Sequence, residues 1–449
     1  MRNKMRFLNV LLLAIIFTII VGCSSDSSSS ENRTNNSSNG NTSGENNKGE
    51  SGEVVELSFW DMSWGPSEYI TAAEEIVDQF NREHPDINVT YQSTPWANWY
   101  QTFTTAIASG TAPDISTGAG FQAFQFYGQD AILPIDDVIE EWEAEGKLDD
   151  FYPGTIEAMQ YDGHYLALPW GLDTRVYWYR KDLFEDAGVE VPTNWEEFRE
   201  AANQLTDGDG QYGLAIEGGA NNGVHTLFTL IFNNGGGIFT EDRHVELVNN
   251  ELNQEAIQFL ADLQADGSIN PASPGMGQDD ALNSFGQGKA AMYLGTPGTR
   301  GEFPEITDEV GILPALESPN GNKGTVMWVN NIMLYKQTEH PEEAKTFLKW
   351  WSENQLPLWT EGDSNQLPAR VSFSEEPYFQ EDQDYKFVYD EYIPNAFTTS
   401  TYFNGSFPEL NEIEGDGVLQ SLAQQILSGK DVMSAMEEAE GGLQDIMGE

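Results

Sequence analysis

The sequence predicts an α/β protein, because strand-like and helix-like apolar patterns follow one another from its first ordered segment. In VVELSFWDMSW, Val55, Leu57 and Phe59 alternate with polar residues, which is typical of a half-buried strand. The next segment, EYITAAEEIVDQFNREHPDINVTY, has apolar residues at three- and four-residue steps before alternation resumes at Ile87. A strand, a helix and a strand form a βαβ unit, for which we expect a right-handed crossover and a parallel sheet.

The following segments continue this alternation of elements. WANWYQTFTTAIASGTAPDISTG predicts a helix that ends at Gly110 and a short strand that begins near Asp114. Residues 160–205 predict a hairpin, an apolar strand over residues 176–179 and a short helix that ends at Gly188. A second helix there is predicted to begin at a capping box over residues 193–196.

The first 22 residues predict a signal peptide for export. Three basic residues precede a nearly unbroken apolar run from Phe7 to Val21, which is too short for a typical spanning helix. The run ends in Ile-Val-Gly followed by Cys23, the only cysteine of the chain, and this resembles the bacterial lipobox, whose cysteine carries fatty acyl chains such as palmitate. We therefore expect a lipidated Cys23; an ordinary signal peptide or an uncleaved anchor helix with an incidental cysteine is the alternative.

Residues 23–53 are predicted to form a disordered tether between the lipidated cysteine and the folded body. The segment consists of Ser, Asn, Gly and scattered charged residues, too polar to repay the entropy of ordering. A tether of this composition has a root-mean-square reach on the order of 30 Å. The folded body, residues 54–449, is long enough for two domains.

The charge of the chain excludes a nucleic-acid partner. There are 73 acidic residues against 21 Lys plus Arg, which gives a net charge of −52, whereas phosphate binding needs a basic surface. The acidic residues are scattered, so a uniformly solvated acidic surface is the plain interpretation. Adaptation to high salt or to high external pH is the alternative hypothesis, because salt screens such self-repulsion.

Several ordered segments together resemble one family. They are SGTAPDI, ALPWGLDTRVYWYRKDLFEDAGVEVPTNWEEF, FGQGKAAMYLGTPG, GILPALE, TVMWVNNIMLYKQTEHPEEAKTFLKWW, LPAR and LAQQILSGKDVMSAMEEA. In this order, behind a lipobox and a polar tether, they resemble the extracellular solute-binding proteins of carbohydrate ABC importers, the maltose-binding-protein-like lipoproteins. Because the segments cover almost all of residues 54–449, they leave no room for a separate catalytic domain.

The resemblance implies a two-lobe periplasmic-binding-protein-like fold, a hinged trap with three interlobe crossings near residues 171–176, 325–329 and 367–370. The N-lobe would comprise residues 54–172 plus 328–368, and the C-lobe residues 173–327 plus 369–449. The implied function is that of a monomeric, extracytoplasmic, lipid-anchored binding component that delivers a sugar, in particular an oligosaccharide, to permease subunits and their ATPase. No cofactor and no metal are expected. Another solute, such as a polyol or a sugar phosphate, and a surface glycoside hydrolase are the alternatives.

The sequence offers candidate ligand-binding residues of the types that a sugar needs, planar hydrogen-bonding groups and aromatic faces. In open α/β sheets, ligands lie beyond the carboxyl ends of the strands. The candidates at predicted strand ends and crossings are Trp60, Asp61, Trp64, Asp114, Trp170, Asp173, Trp328, Asn330, Asn331 and Phe403. For each aromatic residue the alternative is a place in the core of a lobe, which suits Trp96, Trp99 and Trp178 better. For Asp61 and Asp114 the alternative is a helix cap or a surface turn.

Other chemistry has little support in the sequence. The five histidines show no metal-binding spacing, and no G-x-S-x-G motif is present. Only a glycosidase-like pair of carboxylates remains open for an enzyme. TDGDGQYG resembles the start of a calcium loop, with Asp207, Asp209 and Gln211 at alternate positions, but it lacks the Glu at position twelve, so a plain turn explains it equally well.

Overall fold

A computed structural model describes residues 54–208, 210–219, 223–400, 406–415 and 417–449 of the chain. The predicted lipidation site Cys23, the tether, Asp209 and the candidate ligand-binding residue Phe403 lie outside these residues. None of the helices in the described residues is long and apolar enough to cross a membrane.

The described chain is a mixed α/β structure, as the sequence predicts. Its strands are β1 (Val55–Met62), β2 (Ile87–Thr94), β3 (Ile115–Gly118), β4 (Gln160–Tyr161), β5 (His164–Tyr165), β6 (Leu168–Thr174), β7 (Val176–Arg180), β8 (Tyr212–Ala215), β9 (Ala290–Gly295), β10 (Val310–Ile312), β11 (Thr325–Leu334), β12 (Leu367–Pro368) and β13 (Ala396–Phe397). Its helices are α1 (Ser67–Glu83), α2 (Trp99–Ser109), α3 (Gln122–Gly128), α4 (Asp136–Glu145), α5 (Lys181–Ala187), α6 (Trp195–Gln204), α7 (Gly223–Asn233), α8 (Glu251–Ala265), α9 (Gln278–Gly286), α10 (Pro341–Asn354), α11 (Pro357–Thr360), α12 (Val371–Ser374), α13 (Pro377–Glu381), α14 (Gln383–Glu391), α15 (Glu409–Gly415), α16 (Val418–Leu427) and α17 (Val432–Met447).

The predicted βαβ unit is present, with β1 and β2 parallel over their whole length. Helix α1 buries the face that carries Ile76 and Phe80, and it ends at His84, as the sequence predicts. Burial of two such side chains stabilises the fold by about 2 kcal/mol each. The predicted α2 is also present and ends at Gly110, whose left-handed conformation (φ 68°) suits glycine.

The larger sheet has the strand order β12-β6-β11-β3-β1-β2, with β13 paired to β11. Strands β1, β2 and β3 are mutually parallel, and β11 is antiparallel to both β3 and β6. All seven residues of β6 are buried, including the polar Asp173 and Thr174. The pairing of β11 with β6 shifts register between Asn330 and Asn331, and such a bulge redirects the side chains around it.

A second, smaller sheet has the order β10-β7-β9-β8. The chain leaves the larger sheet at the end of β6, enters the smaller sheet only two residues later at Val176, and returns to the larger sheet in β11. These passages fall in two of the segments that the resemblance names as crossings. The lobe boundaries at residues 172 and 328, and at 368, stay a prediction.

One predicted helix start is wrong by one residue. The residue that caps helix α6 is Asn194, not Thr193, because the Asn194 side chain accepts a hydrogen bond from the backbone N–H of Glu197 at 3.0 Å. The Glu197 carboxylate in turn accepts hydrogen bonds from the backbone N–H and the hydroxyl of Thr193, both at 2.8 Å. The two residues thus share the role of the predicted capping box.

Candidate ligand-binding site

A cavity of about 390 Å³ lies at the carboxyl ends of strands β1, β2, β3 and β6 of the larger sheet. Segments that follow β1, β2 and β3 contribute to its wall, where ligands of open α/β sheets are found. Helices α7, α9 and α15 close other sides. The lining residues are Ser63, Trp64, Gly65, Pro66, Trp96, Trp99, Ala119, Phe121, Asp173, Arg175, Val224, His225, Gln278, Asp279, Leu282, Thr296, Glu302, Trp328, Asn330, Asn365, Gln366 and Glu414.

An aromatic wall forms one side of this cavity. Ring centroids of Trp64 and Trp96 are 4.8 Å apart in an edge-to-face arrangement, and Trp96 contacts Trp99 in the same manner at 6.3 Å. Phe121 continues the wall, 5.9 Å from Trp99. The indole of Trp96 donates a hydrogen bond to the backbone carbonyl of Ser63 at 2.8 Å. Trp96 is half-buried, so its fixed ring offers part of its surface to a ligand.

A charged cluster lies between β6 and β11. The Arg175 guanidinium forms an ion pair with Asp173, donates from Nε to His225 Nδ1 at 3.1 Å, and lies 5.0 Å from the centre of the Trp328 ring. Burial, helped by the nearby Arg175 charge, lowers the pKa of His225 well below its ordinary value, so this histidine is neutral and accepts. Burial raises the pKa of Asp173, and the Arg175 charge opposes that rise.

Glu414 is a buried carboxyl on α15 at the edge of the same cluster. The indole N–H of Trp328 donates to Glu414 Oε2 at 3.1 Å, and the Thr399 hydroxyl donates to Oε1 at 2.7 Å. Burial raises the pKa of Glu414 from 4.5 to about 8, although both hydrogen bonds act against the rise. Glu414 therefore fixes the Trp328 ring, which lines the cavity.

Four of the candidate residues chosen from the sequence line the cavity: Trp64, Asp173, Trp328 and Asn330. The side-chain amide of Asn330 donates to Gln366 Oε1 at 2.9 Å, so two lining residues hold one another. Ligand contact by these residues stays a prediction.

The structure places the other described candidates away from the cavity lining. Trp60 points to the opposite side of β1 from Asp61 and contacts Phe103 of α2 at 5.6 Å between ring centroids. Asp114 precedes β3 instead of following it, and its carboxylate accepts hydrogen bonds from the backbone N–H and hydroxyl of Ser58 at 2.8 and 2.7 Å.

Trp170, Asn331 and Asp61 lie behind the wall. Trp170 is fully buried and packs on Trp64 at 5.1 Å. The side chain of Asn331 donates to the backbone carbonyl of Ala119 at 3.2 Å. Asp61 continues the buried face of β1 and accepts hydrogen bonds from three hydroxyl groups.

Several lining residues carry little or no signal in the sequence. Trp96 and Trp99 follow β2 as Trp64 follows β1, and although the sequence favours a place in the core for both, the structure places them in the cavity lining. Arg175 is recognisable only as a basic residue near a crossing. Glu414 and His225 carry no sequence signal, because helices far along the chain bring them to the cavity.

The calcium hypothesis gains no support from the described part of the loop. The backbone N–H of Gln211 donates to the Asp207 carboxylate at 3.1 Å, as in a plain turn. Within the described residues there is no group of three or more His, Cys, Asp or Glu side chains that could hold a metal ion.

Comparison with known families gives a match to the model for the bacterial extracellular solute-binding protein over residues 65–355, which is more than half of the chain. The chain belongs to this family. Membership means that it binds a solute and is not an enzyme, and that it acts outside the cytoplasm. The predicted family and the predicted two-lobe α/β fold are thereby confirmed.

Named relatives of this solute-binding protein include sugar-binding proteins. One is a sugar transporter from Arthrobacter chlorophenolicus A6, whose crystal structure contains bound laminaribiose and whose sequence is 36% identical to this chain. The two structures superpose with a TM-score of 0.81, and the match covers 87% of this chain and 98% of that chain. The arabinooligosaccharide-binding protein of Halalkalibacterium halodurans is 26% identical over 361 residues, covering 76% of this chain and 77% of the relative. A binding protein of Brucella abortus (strain 2308) is 27% identical over 277 residues, and the match covers 60% of this chain but only 66%, just under two thirds, of that relative.

Proposed function

We propose that this solute-binding protein captures a neutral sugar, in particular a di- or oligosaccharide, and delivers it to an ABC importer. The observation that carries the proposal is the aromatic wall of Trp64, Trp96 and Trp99 in a cavity whose lining also presents several amides and carboxyls. Sugar C–H faces pack on aromatic rings, and sugar hydroxyls pair with such planar polar groups. A volume of about 390 Å³ lies within the usual range for small-molecule sites.

The charges of the cavity favour a neutral ligand over a sugar phosphate. Arg175 is the only Lys or Arg among the described residues that line it, and Arg175 is already paired with Asp173. Asp279 and Glu302 line the same cavity, so an anionic ligand would meet carboxyl groups before it met an unengaged cation. The laminaribiose and arabinooligosaccharide named for the two relatives are neutral sugars, which supports the same class.

In the proposed mechanism, a sugar bridges the two lobes and stabilises their closed arrangement through the additional contacts made there. The N-lobe would be residues 54–172 plus 328–368 and the C-lobe the remainder of the folded body, residues 173–327 plus 369–449. The closed, loaded form would then be the one that the permease subunits and their ATPase recognise. The protein would act as a monomer.

The proposed location is the outer face of the cell membrane, with Cys23 as the lipidated residue. The support is the sequence alone: a basic start, a short apolar run and a cysteine followed by a polar tether. Two acyl chains on one residue are enough for stable anchoring.

The test is to titrate the full-length protein with neutral mono-, di- and oligosaccharides, with sugar alcohols and with a sugar phosphate. Binding is detected by intrinsic tryptophan fluorescence and by calorimetry. We expect saturable one-to-one binding of a neutral di- or oligosaccharide and recovery of the sugar uncleaved. Tighter binding of a sugar alcohol or of the sugar phosphate would contradict the proposed ligand class. Cleavage of the sugar would contradict the receptor function.

A further inference from the structure

Asp61 is a fully buried carboxyl that makes no ion pair among the described residues. Its Oδ1 accepts a hydrogen bond from the Thr117 hydroxyl at 2.6 Å, and its Oδ2 accepts from Tyr69 and Tyr91 at 3.0 and 3.3 Å. These donors come from β3, α1 and β2, so three elements converge on one side chain. A buried carboxyl without a cation is costly, and burial raises its pKa to about 7. An apolar side chain at this place in the sheet would avoid that cost.

Thr117 connects Asp61 to the cavity wall. Its Oγ1 accepts hydrogen bonds from the indole N–H of Trp64 at 3.0 Å and from the backbone N–H of Met62 at 2.9 Å. A hydroxyl has one proton and two lone pairs. Because the proton is donated to Asp61, both lone pairs remain available for the two N–H groups. The acceptor on Asp61 thus fixes the direction in which the Thr117 hydroxyl points.

We infer that Asp61 is a positioning residue for the ligand site, which orients Trp64 through Thr117 and does not itself contact the ligand. The Trp64 ring packs edge to face on both Trp96 and Trp170, so its orientation sets the shape of the aromatic wall. This inference rests on the proposed function, because the aromatic wall that Trp64 helps to shape is the proposed sugar-binding surface. The alignment of Trp64 can be measured without any ligand.

The test uses matched variants of the full-length protein. Asp61→Leu removes the acceptor but keeps the branching of the side chain, and Asp61→Asn retains an acceptor oxygen at similar volume. Thr117→Val removes the connecting hydroxyl with little change of shape, and Thr117→Ser retains it. Thr94→Val is the control: Thr94 is a buried threonine at the end of β2, whose hydroxyl has no hydrogen-bond partner among the described residues.

Two quantities are measured: the affinity for the sugar that the wild type binds, and the fluorine NMR resonance of Trp64 in protein labelled with 5-fluorotryptophan, assigned with Trp64→Phe. We expect Asp61→Leu and Thr117→Val to bind about five- to tenfold more weakly, as for loss of one buried hydrogen bond, and to shift or broaden the Trp64 resonance. Asp61→Asn, Thr117→Ser and Thr94→Val should stay within about twofold of the wild type, since each keeps the connection.

Thr117→Val carries the test if Asp61→Leu does not fold. An unchanged Trp64 resonance and unchanged affinity in Thr117→Val would overturn the inference, and so would a loss of thermal stability alone. If the wild type binds no sugar, the proposed function fails, whereas the resonance still decides whether Asp61 and Thr117 orient Trp64.

Discussion

Replacement of Glu414 by Gln should change how the stability of the protein depends on pH. The pKa of Glu414 rises from 4.5 to about 8 in the folded protein, chiefly because the carboxyl is buried. The folded state therefore binds more protons than the unfolded state between these two pH values, and the stability contributed by this group falls as the pH rises from 4.5 to 8. The nearby charges are Arg175, which lowers this pKa, and Asp173, which raises it.

The magnitude follows from the size of the pKa change. At about 1.4 kcal/mol per pH unit, the part of this rise that takes effect between pH 5 and pH 9 corresponds to at most about 4 kcal/mol, and relaxation around the ionised carboxyl reduces this to about 2–3 kcal/mol. Glu414→Gln keeps an acceptor for Trp328 and Thr399 but does not ionise. Its free energy of unfolding, relative to that of the wild type, should increase by this amount from pH 5 to pH 9.

The assay is urea unfolding of wild type and variant at each pH, with Glu412→Gln as the control that removes one charge from the same helix. The control should show a difference from the wild type that varies by less than about 0.5 kcal/mol over the same range. A constant difference between Glu414→Gln and wild type, or one that shrinks with pH, would refute the burial argument for Glu414.

Three further predictions concern the ligand site, the anchor and the surface charge. Trp96→Ala should weaken sugar binding by about 0.5–1.5 kcal/mol in calorimetry. Trp350→Ala is the control and should not weaken binding, because Trp350 lies on the outer helix α10, where its indole N–H donates to Glu83. Equal affinities of the two variants would contradict the assignment of Trp96 to the aromatic wall. Cys23→Ser should release the protein from membranes in cell fractionation, and a variant that stayed in the membrane fraction would contradict lipidation. The net charge is −52, and salt screens the repulsion between like charges. The melting temperature should therefore be higher in about 1 M NaCl than in about 0.05 M NaCl. An unchanged or lower melting temperature in the higher salt would count against adaptation to salt.

Local sequence patterns predict the first part of the fold well. The alternation of Val55, Leu57 and Phe59, the spacing in α1 and the stop at His84 are all properties of neighbouring residues, and the structure confirms them. The small error at α6 arises because Thr193 and Asn194 are both good caps, and only the hydrogen bonds distinguish them.

The candidate site is less predictable, because it depends on which side of a strand a residue faces and on helices far along the chain. Trp60 and Asp61 sit near the end of β1, yet the pleat directs one to α2 and the other to α1. Asp114 has the right residue type but lies at the wrong end of its strand. Glu414 reaches Trp328 across 86 positions in the sequence, a contact that no local pattern encodes.

We propose that the aromatic cavity binds a neutral sugar. Isothermal titration of the full-length wild type and of Trp96→Ala with laminaribiose and with an arabinooligosaccharide, the sugars named for two relatives, tests this binding. We predict one-to-one binding of at least one of them by the wild type and about two- to twelvefold weaker binding by Trp96→Ala. Binding of equal strength in both proteins, or binding of neither sugar by a folded wild type, would contradict the claim.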